Sequence, residues 1–208
     1  MQTFTVTSIA SGGGGEMAGH PNPAPLVLAS HESVVLSDDL RVINKVSQNL
    51  HAELMLRLLG KEKGTSGSIA GGLEVLRGFL TSAGIKPDQF VFYDGSGLSR
   101  ENLVSPEAVV MLLRYAQLQP WGKLYEDTFP VAGVDGSMSD RLKTGPAKGV
   151  VHAKTGSLGH VNALSGYGTT AKGERVAFSI LSNNHNLTSK KAIETIDQIV
   201  EKIVADSN

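Results

Sequence analysis

The sequence contains no cysteine, which excludes disulfides, a thiolate nucleophile and Cys-ligated zinc, and leaves the compartment open. It lacks an excess charge of either sign. The 19 Lys and Arg balance 20 Asp and Glu, for a formal net charge of −1, so the basic footprint of a nucleic-acid binder is missing. Short basic groups such as Lys190-Lys191 read as solvated surface. The six histidines show no H-E-x-x-H or comparable spacing, so no metal site and no cofactor is expected. No apolar run reaches the roughly 18 residues of a membrane span, and no basic start followed by an apolar stretch marks a signal peptide. Aromatic residues are few, at 5%, but 40% of the 208 residues are hydrophobic. That is enough for the core of one domain with an appended segment.

The first segment carries weak alternation over residues 1–9, then Ser11-Gly12-Gly13-Gly14-Gly15 and His20-Pro21-Asn22-Pro23-Ala24-Pro25. Four consecutive glycines maximise backbone entropy and the prolines block regular structure. Residues 1–25 therefore read as a strand plus a linker, and 26–208 as the domain. Leu26-Val27-Leu28-Ala29 suits a short strand. Ser37 is positioned to cap a helix with Asp38 and Asp39 in its first turn. Helices are expected over about 38–46 and 50–59, the second with Leu50, Leu54 and Leu58 on its apolar face and a stop at Gly60. A third runs from Ser68 to Ala83. The stretch from Gln89 to Tyr93 reads as a short strand entering the turn Asp94-Gly95-Ser96-Gly97. Ser105-Pro106 opens a further helix to about Gln117. Residues 130–149 are Gly-rich and irregular. Strands follow at about 149–155, 161–170 and 175–181, and Ser189 starts a closing helix striped by Ile193, Ile196, Val200 and Ile203. Helices in the middle, an antiparallel strand run late and a closing helix argue for an α+β domain, an antiparallel sheet with helices packed on it.

The tripeptide K-T-G occurs twice. Lys143-Thr144-Gly145 precedes Pro146, which removes a ladder donor, so it is assigned to a loop. Lys154-Thr155-Gly156 closes the apolar strand Val150-Val151-His152-Ala153. There the chemistry coheres. A strand edge pairs with an extended peptide. Thr155 offers a hydroxyl to a carboxylate, Gly156 admits a close backbone, and Lys154 supplies charge and proton handling. Ser47-Gln48-Asn49 is an S-x-N triplet at a helix break, where the plain alternative is capping of the next helix. S-x-N and K-T-G are companions of an S-x-x-K motif that carries a nucleophilic serine. No Ser in this sequence is followed three residues later by Lys.

Together with Ile43 to Leu50, Asp94-Gly95-Ser96-Gly97-Leu98-Ser99-Arg100, Ala132 to Ser137 and Ala153 to Leu158, these motifs resemble the D-alanyl-D-alanine carboxypeptidase/endopeptidase family, the class C low-molecular-mass penicillin-binding proteins of peptidase family S13. The likeness runs from about Leu26 to Val204, the C-terminal part of that family without its S-x-x-K region. It implies an incomplete penicillin-binding/β-lactamase-like transpeptidase domain and a serine acyl-transfer mechanism on D-Ala-D-Ala. Within it, Ser47 would join the proton network at the leaving nitrogen, Asn49 would bond the substrate amide, and Lys154 would support the electrostatics. Thr155 and Gly156 would hold substrate, and the Ser157 N–H would be an oxyanion donor. The Asp94–Arg100 turn has a simpler reading as a structural knot of local hydrogen bonds. The sequon Asn186-Leu187-Thr188 is read as chance.

The implied partners are peptidoglycan stem peptides, with β-lactams as ligands of a full-length parent acting outside the cytoplasm, and no nucleic acid. The chain alone is expected to be inactive. The rival reading is a non-catalytic module that binds peptidoglycan peptide or a partner chain, and no glutamate can be placed for a β-lactamase. The stripe of the closing helix is expected to lack part of its cover, favouring self-association or pairing with a missing N-terminal part.

Overall fold

A computed structural model describes residues 32–205. The expected strands at 1–9 and 26–29, and the linker between them, lie outside the described residues. Helix α1 (Leu36–Lys45) begins the described architecture, with Asp38 and Asp39 in its first turn. Its N-cap is Val35 and no side chain caps it, so Ser37 lies inside the helix rather than before it. Helix α2 (Asn49–Lys63) runs past Gly60 and closes at Gly64. Gly60 is a crossing point, not a stop: a Cβ there would meet Gly72 N and Ser66 O, both at 2.6 Å. Helix α3 (Ile69–Ser82), capped by Ser68 through the Gly71 N–H, packs along it. The buried positions of α2 are Leu56 and Gly60, whereas Leu50 and Leu54 are exposed. The apolar face expected there is rotated because two small-residue surfaces let the helix backbones approach.

After Pro87–Gln89, one turn of 3₁₀-helix, β1 (Phe90–Val91) pairs antiparallel with β2 (Leu103–Val104). The expected strand at 89–93 is shorter, and β2 is an addition. Ser105 accepts from the Ala108 N–H and starts α4 (Pro106–Gln117) as the sequence implies. A short helix, α5 (Gly122–Glu126), follows unannounced by periodicity.

The main sheet is β3 (His152–Leu158), β4 (Val161–Thr169) and β5 (Arg175–Asn183), antiparallel in the order β3-β4-β5. The K-T-G lies in the middle of β3 rather than at its end, because the strand continues to Leu158 before a two-residue turn. Alternation assigns the faces. On the rear, Ala153, Leu164 and Phe178 bury against Ile196, Val200 and Val204 of α6 (Ser189–Ala205). On the front, Tyr167 stacks on Phe129 beside Leu113 of α4. Of the expected stripe of α6, Ile196 and Val200 are buried against the chain's own sheet together with Val204, whereas Ile193 and Ile203 are half-buried. The exposed apolar residues Val42, Val46, Leu50 and Leu54 lie on α1, α2 and the turn between them. At the start of β5, Arg175 grips the buried Glu126 carboxylate at 2.7 Å to both oxygens, pinning α5 to the sheet. No helix among the described residues is long and apolar enough to cross a membrane.

Candidate active site

Three elements meet at the exposed edge of β3. The first is the α1–α2 turn. Ser47 adopts φ +60°, a left-handed conformation that costs a non-glycine residue on the order of 1–2 kcal/mol. It reverses the chain between the helices and leaves its side chain exposed. Neither Ser47 nor Asn49 caps α2: the N-cap is Gln48, with no side-chain bond. The turn is held from outside. Asn44 donates to Thr128 Oγ1 at 2.7 Å, and Lys45 pairs with Asp135, whose other carboxylate oxygen accepts the Val131 N–H.

The second element is the Asp94–Arg100 turn. Asp94 accepts from the Gly97 and Ser99 N–H groups, from Ser96 Oγ and from Asn102. Burial alone would raise its carboxyl pKa, but these donors outweigh it and hold the value below the ordinary one. The turn is the structural knot its composition suggests. It also holds a site residue, because Asn49 Nδ2 donates to Ser96 O at 2.7 Å. That bond fixes the amide orientation and makes Oδ1 the end left to meet another donor.

The third element is β3 itself. It is an edge strand, and the Ala153 N–H leaves the sheet to reach Pro130 O at 2.9 Å. Backbone groups alternate along a strand, so the N–H groups of Thr155 and Ser157 point to the same open side. Lys154 Nζ lies over this edge and donates at 2.8 Å both to Thr155 O and to Ser47 Oγ. The two motifs, separated by more than a hundred residues of sequence, are in direct contact. Burial pulls the Lys154 pKa below the ordinary lysine value. Thr155 Oγ1 meets Ser137 Oγ at 2.8 Å.

Gly156 is not demanded by the protein. Its φ is not left-handed, and an added Cβ would meet only Ala163 Cβ, at 3.4 Å. The space a side chain would fill lies in the cleft. That cleft, about 1140 Å³, is lined by Ser47, Asn49, Lys154, Thr155, Gly156 and Ser157 among others. All six sequence-selected residues therefore share one cavity. Sequence reading quoted Ser137, which partners Thr155, without giving it a site role, and missed Asn162, which stands behind Ser157. Each is a polar residue made significant only by contacts across the fold. No group of three or more His, Asp or Glu among the described residues is placed to hold a metal ion.

Comparison with known proteins points the same way. The family model described as the D-Ala-D-Ala carboxypeptidase 3 (S13) family matches residues 13–203. A D-alanyl-D-alanine carboxypeptidase of an Actinomadura species is 40% identical over 173 residues, 81% of this chain and 32% of that protein. The carboxypeptidase DacB of Haemophilus influenzae is 37% identical over 163 residues, 77% of this chain and 34% of that protein. The crystal structure of penicillin-binding protein 4 from Haemophilus influenzae, complexed with a β-lactam, superimposes with a TM-score of 0.77 at 32% identity. It covers 90% of this chain and 46% of that one. A class A β-lactamase from Bacteroides cellulosilyticus, at 20% identity and a TM-score of 0.63, shares the fold. The chain spans about a third of the length of the curated relatives it matches.

Proposed function

The chain belongs to the D-Ala-D-Ala carboxypeptidase 3 (S13) family, and from that premise we propose that it forms the substrate-edge half of a serine acyl-transfer site acting on D-Ala-D-Ala peptides of peptidoglycan. The observation that carries this reading is the Lys154–Ser47 contact at 2.8 Å beside the outer edge of β3, which pairs with no strand beyond the bridge of His152 to Val131. A peptide laid antiparallel on β3 would receive the Thr155 and Ser157 N–H groups and pass its backbone over Gly156. Asn49 Oδ1 would accept the substrate's amide N–H. Lys154 and Thr155 would meet the terminal carboxylate.

In the reaction, a serine hydroxyl adds to the penultimate D-Ala carbonyl. The oxyanion that forms takes the Ser157 N–H, a donor of a kind worth about 2.7–4 kcal/mol. As the C–N bond breaks, the leaving nitrogen of the terminal D-Ala accepts, through Ser47 held by Lys154, the proton given up by the attacking serine hydroxyl. Water then cleaves the ester. Desolvation suits Lys154 to this work, since a lowered pKa brings its proton exchange toward neutral pH. β-Lactams, as mimics of the same dipeptide, would be ligands of an assembled site.

The sequence holds no S-x-x-K. We therefore assign to this chain recognition and proton handling, without the acylating serine, and expect no turnover from it alone. That same absence favours the second reading, a module that binds the peptide without cleaving it. Two measurements test the assignment. Titration of the ¹⁵N-labelled chain with diacetyl-L-Lys-D-Ala-D-Ala should move the Thr155 and Ser157 amide signals, and fluorescent penicillin should leave no band on a denaturing gel. A penicillin band would reveal a nucleophile within the chain. Silent amides at 155 and 157 would refute the edge.

A further inference from the structure

Behind the edge, on the face opposite Lys154, lies a polar cluster that the site above leaves unused. Asn162 sits directly across from Ser157 in the β3–β4 register and is 1% exposed. Both ends of its amide are engaged. Nδ2 donates to Ser157 Oγ at 3.0 Å and to Ser189 Oγ, at the start of α6, at 2.8 Å. Oδ1 lies 2.9 Å from His185 Nε2. Because Oδ1 can only accept, Nε2 must carry the proton. His185 Nδ1 is then enclosed without a partner among the described residues. The same histidine grips the hairpin tip through its backbone. Its N–H donates to His160 O at 3.3 Å, and its carbonyl accepts from His160 Nδ1 at 2.9 Å.

A buried amide hydrogen-bonded at both ends costs more to disturb than it contributes in place. Retaining one here, where an apolar residue would pack against α6 as Leu164 does, calls for a reason beyond stability. The geometry supplies one. A two-residue turn leaves Leu158 and Val161 as the last pair of the hairpin, so nothing in the ladder beyond them limits the pitch of β3's end. The Asn162–Ser157 bond and the His160–His185 clasp do.

We infer that Asn162 and His185 are positioning residues: they set the direction of the Ser157 N–H on the substrate edge, and so the strength of its bond to the peptide carbonyl. This deepens the reading that β3 is the substrate edge and rests on it.

The test uses the whole chain, ¹⁵N-labelled, in four forms: wild type, Asn162→Ala, His185→Ala and His185→Gln. The probe is diacetyl-L-Lys-D-Ala-D-Ala. Glutamine's amide nitrogen reaches about as far as imidazole Nε2 and can restore the donor to Asn162 Oδ1. In wild type the histidine ¹⁵N shifts should report an Nε2–H tautomer for His185. The Ser157 amide signal should move in Asn162→Ala and His185→Ala and return toward its wild-type position in His185→Gln. Peptide affinity should fall roughly five- to tenfold in both alanine variants and recover in the glutamine variant. The amide signal of Val200, in the core, should stay in place in all four forms and so report an intact fold.

Peptide binding that is unchanged in both alanine variants, with a stationary Ser157 signal, overturns the relay while leaving the edge intact. Should Asn162→Ala fail to fold, the two His185 variants decide alone. A Ser157 signal that answers the substitutions in a wild-type chain deaf to the peptide overturns the edge itself, and reduces Asn162 to a fold anchor.

Discussion

Lys143-Thr144-Gly145 and Lys154-Thr155-Gly156 are the same tripeptide in one short stretch of chain, and almost nothing about their surroundings agrees. Lys143 is largely in water and donates to Asp140 Oδ1 at 2.9 Å, a pair with side chains 61% and 88% exposed. Lys154 is half-buried and bridges Ser47 Oγ and Thr155 O. Gly145 has φ +87°, a conformation that an L-residue resists, and an added Cβ would meet the Glu201 carboxylate. Gly156 is extended and its neighbours leave it room. At 145 the fold needs glycine; at 156 the cleft does. The composition of a motif therefore says less than the direction of the open space around it. In the loop the requirement points inward, toward stability. On the strand it points outward, toward a ligand.

The largest separation should appear in ligand binding. Lys154→Ala removes the charge that meets the peptide carboxylate and frees Ser47 from its partner. Charge-assisted hydrogen bonds contribute about 1.5–3 kcal/mol, so affinity for diacetyl-L-Lys-D-Ala-D-Ala should fall roughly ten- to a hundredfold. Lys143→Ala breaks only an exposed ion pair that contributes little to the fold and nothing to the site, and should leave affinity within about twofold. Isothermal titration of both variants decides. Equal losses would mean that the two tripeptides are functionally alike and that the strand context confers nothing.

The glycines give a sharper test, because the two variants should fail in opposite assays. Gly145→Ala forces a Cβ into a left-handed backbone and against Glu201, costing about 1–2 kcal/mol. In a chain of this size that lowers the melting temperature by roughly 2–4 °C per kcal/mol, with peptide binding retained. Gly156→Ala should melt within about 0.5 kcal/mol of wild type yet bind peptide several-fold more weakly, since its methyl group occupies the path of the substrate backbone. A Gly156→Ala variant that binds normally would remove the argument from open space.

Local signals carried much of this from the sequence. Ser105-Pro106 marks the start of α4 because cap and proline act within one turn, and the late strand run shows as period-two patterning. Pro146 correctly separates the loop tripeptide from the strand one. What escaped was set by distant partners. α2 passes through Gly60 because α3 supplies a matching small-residue surface at Gly72. β3 outlasts its K-T-G because Ser157 and Leu158 find Asn162 and Val161 across the hairpin. α5 is too short for a period and is held by the Glu126–Arg175 pair. The site followed the same rule. Ser47, Asn49 and Lys154 belong to motifs of fixed spacing, whereas Ser137, Asn162 and His185 matter only through contacts that no short window contains.

The smallest expected difference lies in pH dependence, and its sign separates the two lysines. Lys154 is desolvated, so its pKa in the fold lies below the ordinary lysine value of about 10.4. Between those two values the unfolded chain binds more protons than the folded one, so this group makes stability rise with pH through that window and contributes no slope below it. Near Lys143 the titrating partner is Asp140, whose carboxyl is held below its ordinary value by the hydrogen bond and charge of Lys143. That contribution is present above the ordinary aspartate pKa of about 3.9 and is lost as pH falls through the lowered folded value. Tyr125 and Tyr167, both raised by burial, oppose the alkaline trend in every variant and cancel in differences. Thermal melts of wild type, Lys154→Met and Lys143→Met across the pH range should therefore give two difference curves. The Lys154 curve should be flat through acid and should favour wild type increasingly toward pH ~10. The Lys143 curve should lose its wild-type advantage below pH ~4, as Asp140 is protonated. The absence of an alkaline slope at Lys154 would show that the strand lysine is not desolvated, and would remove the electrostatic ground for giving it the proton-handling role.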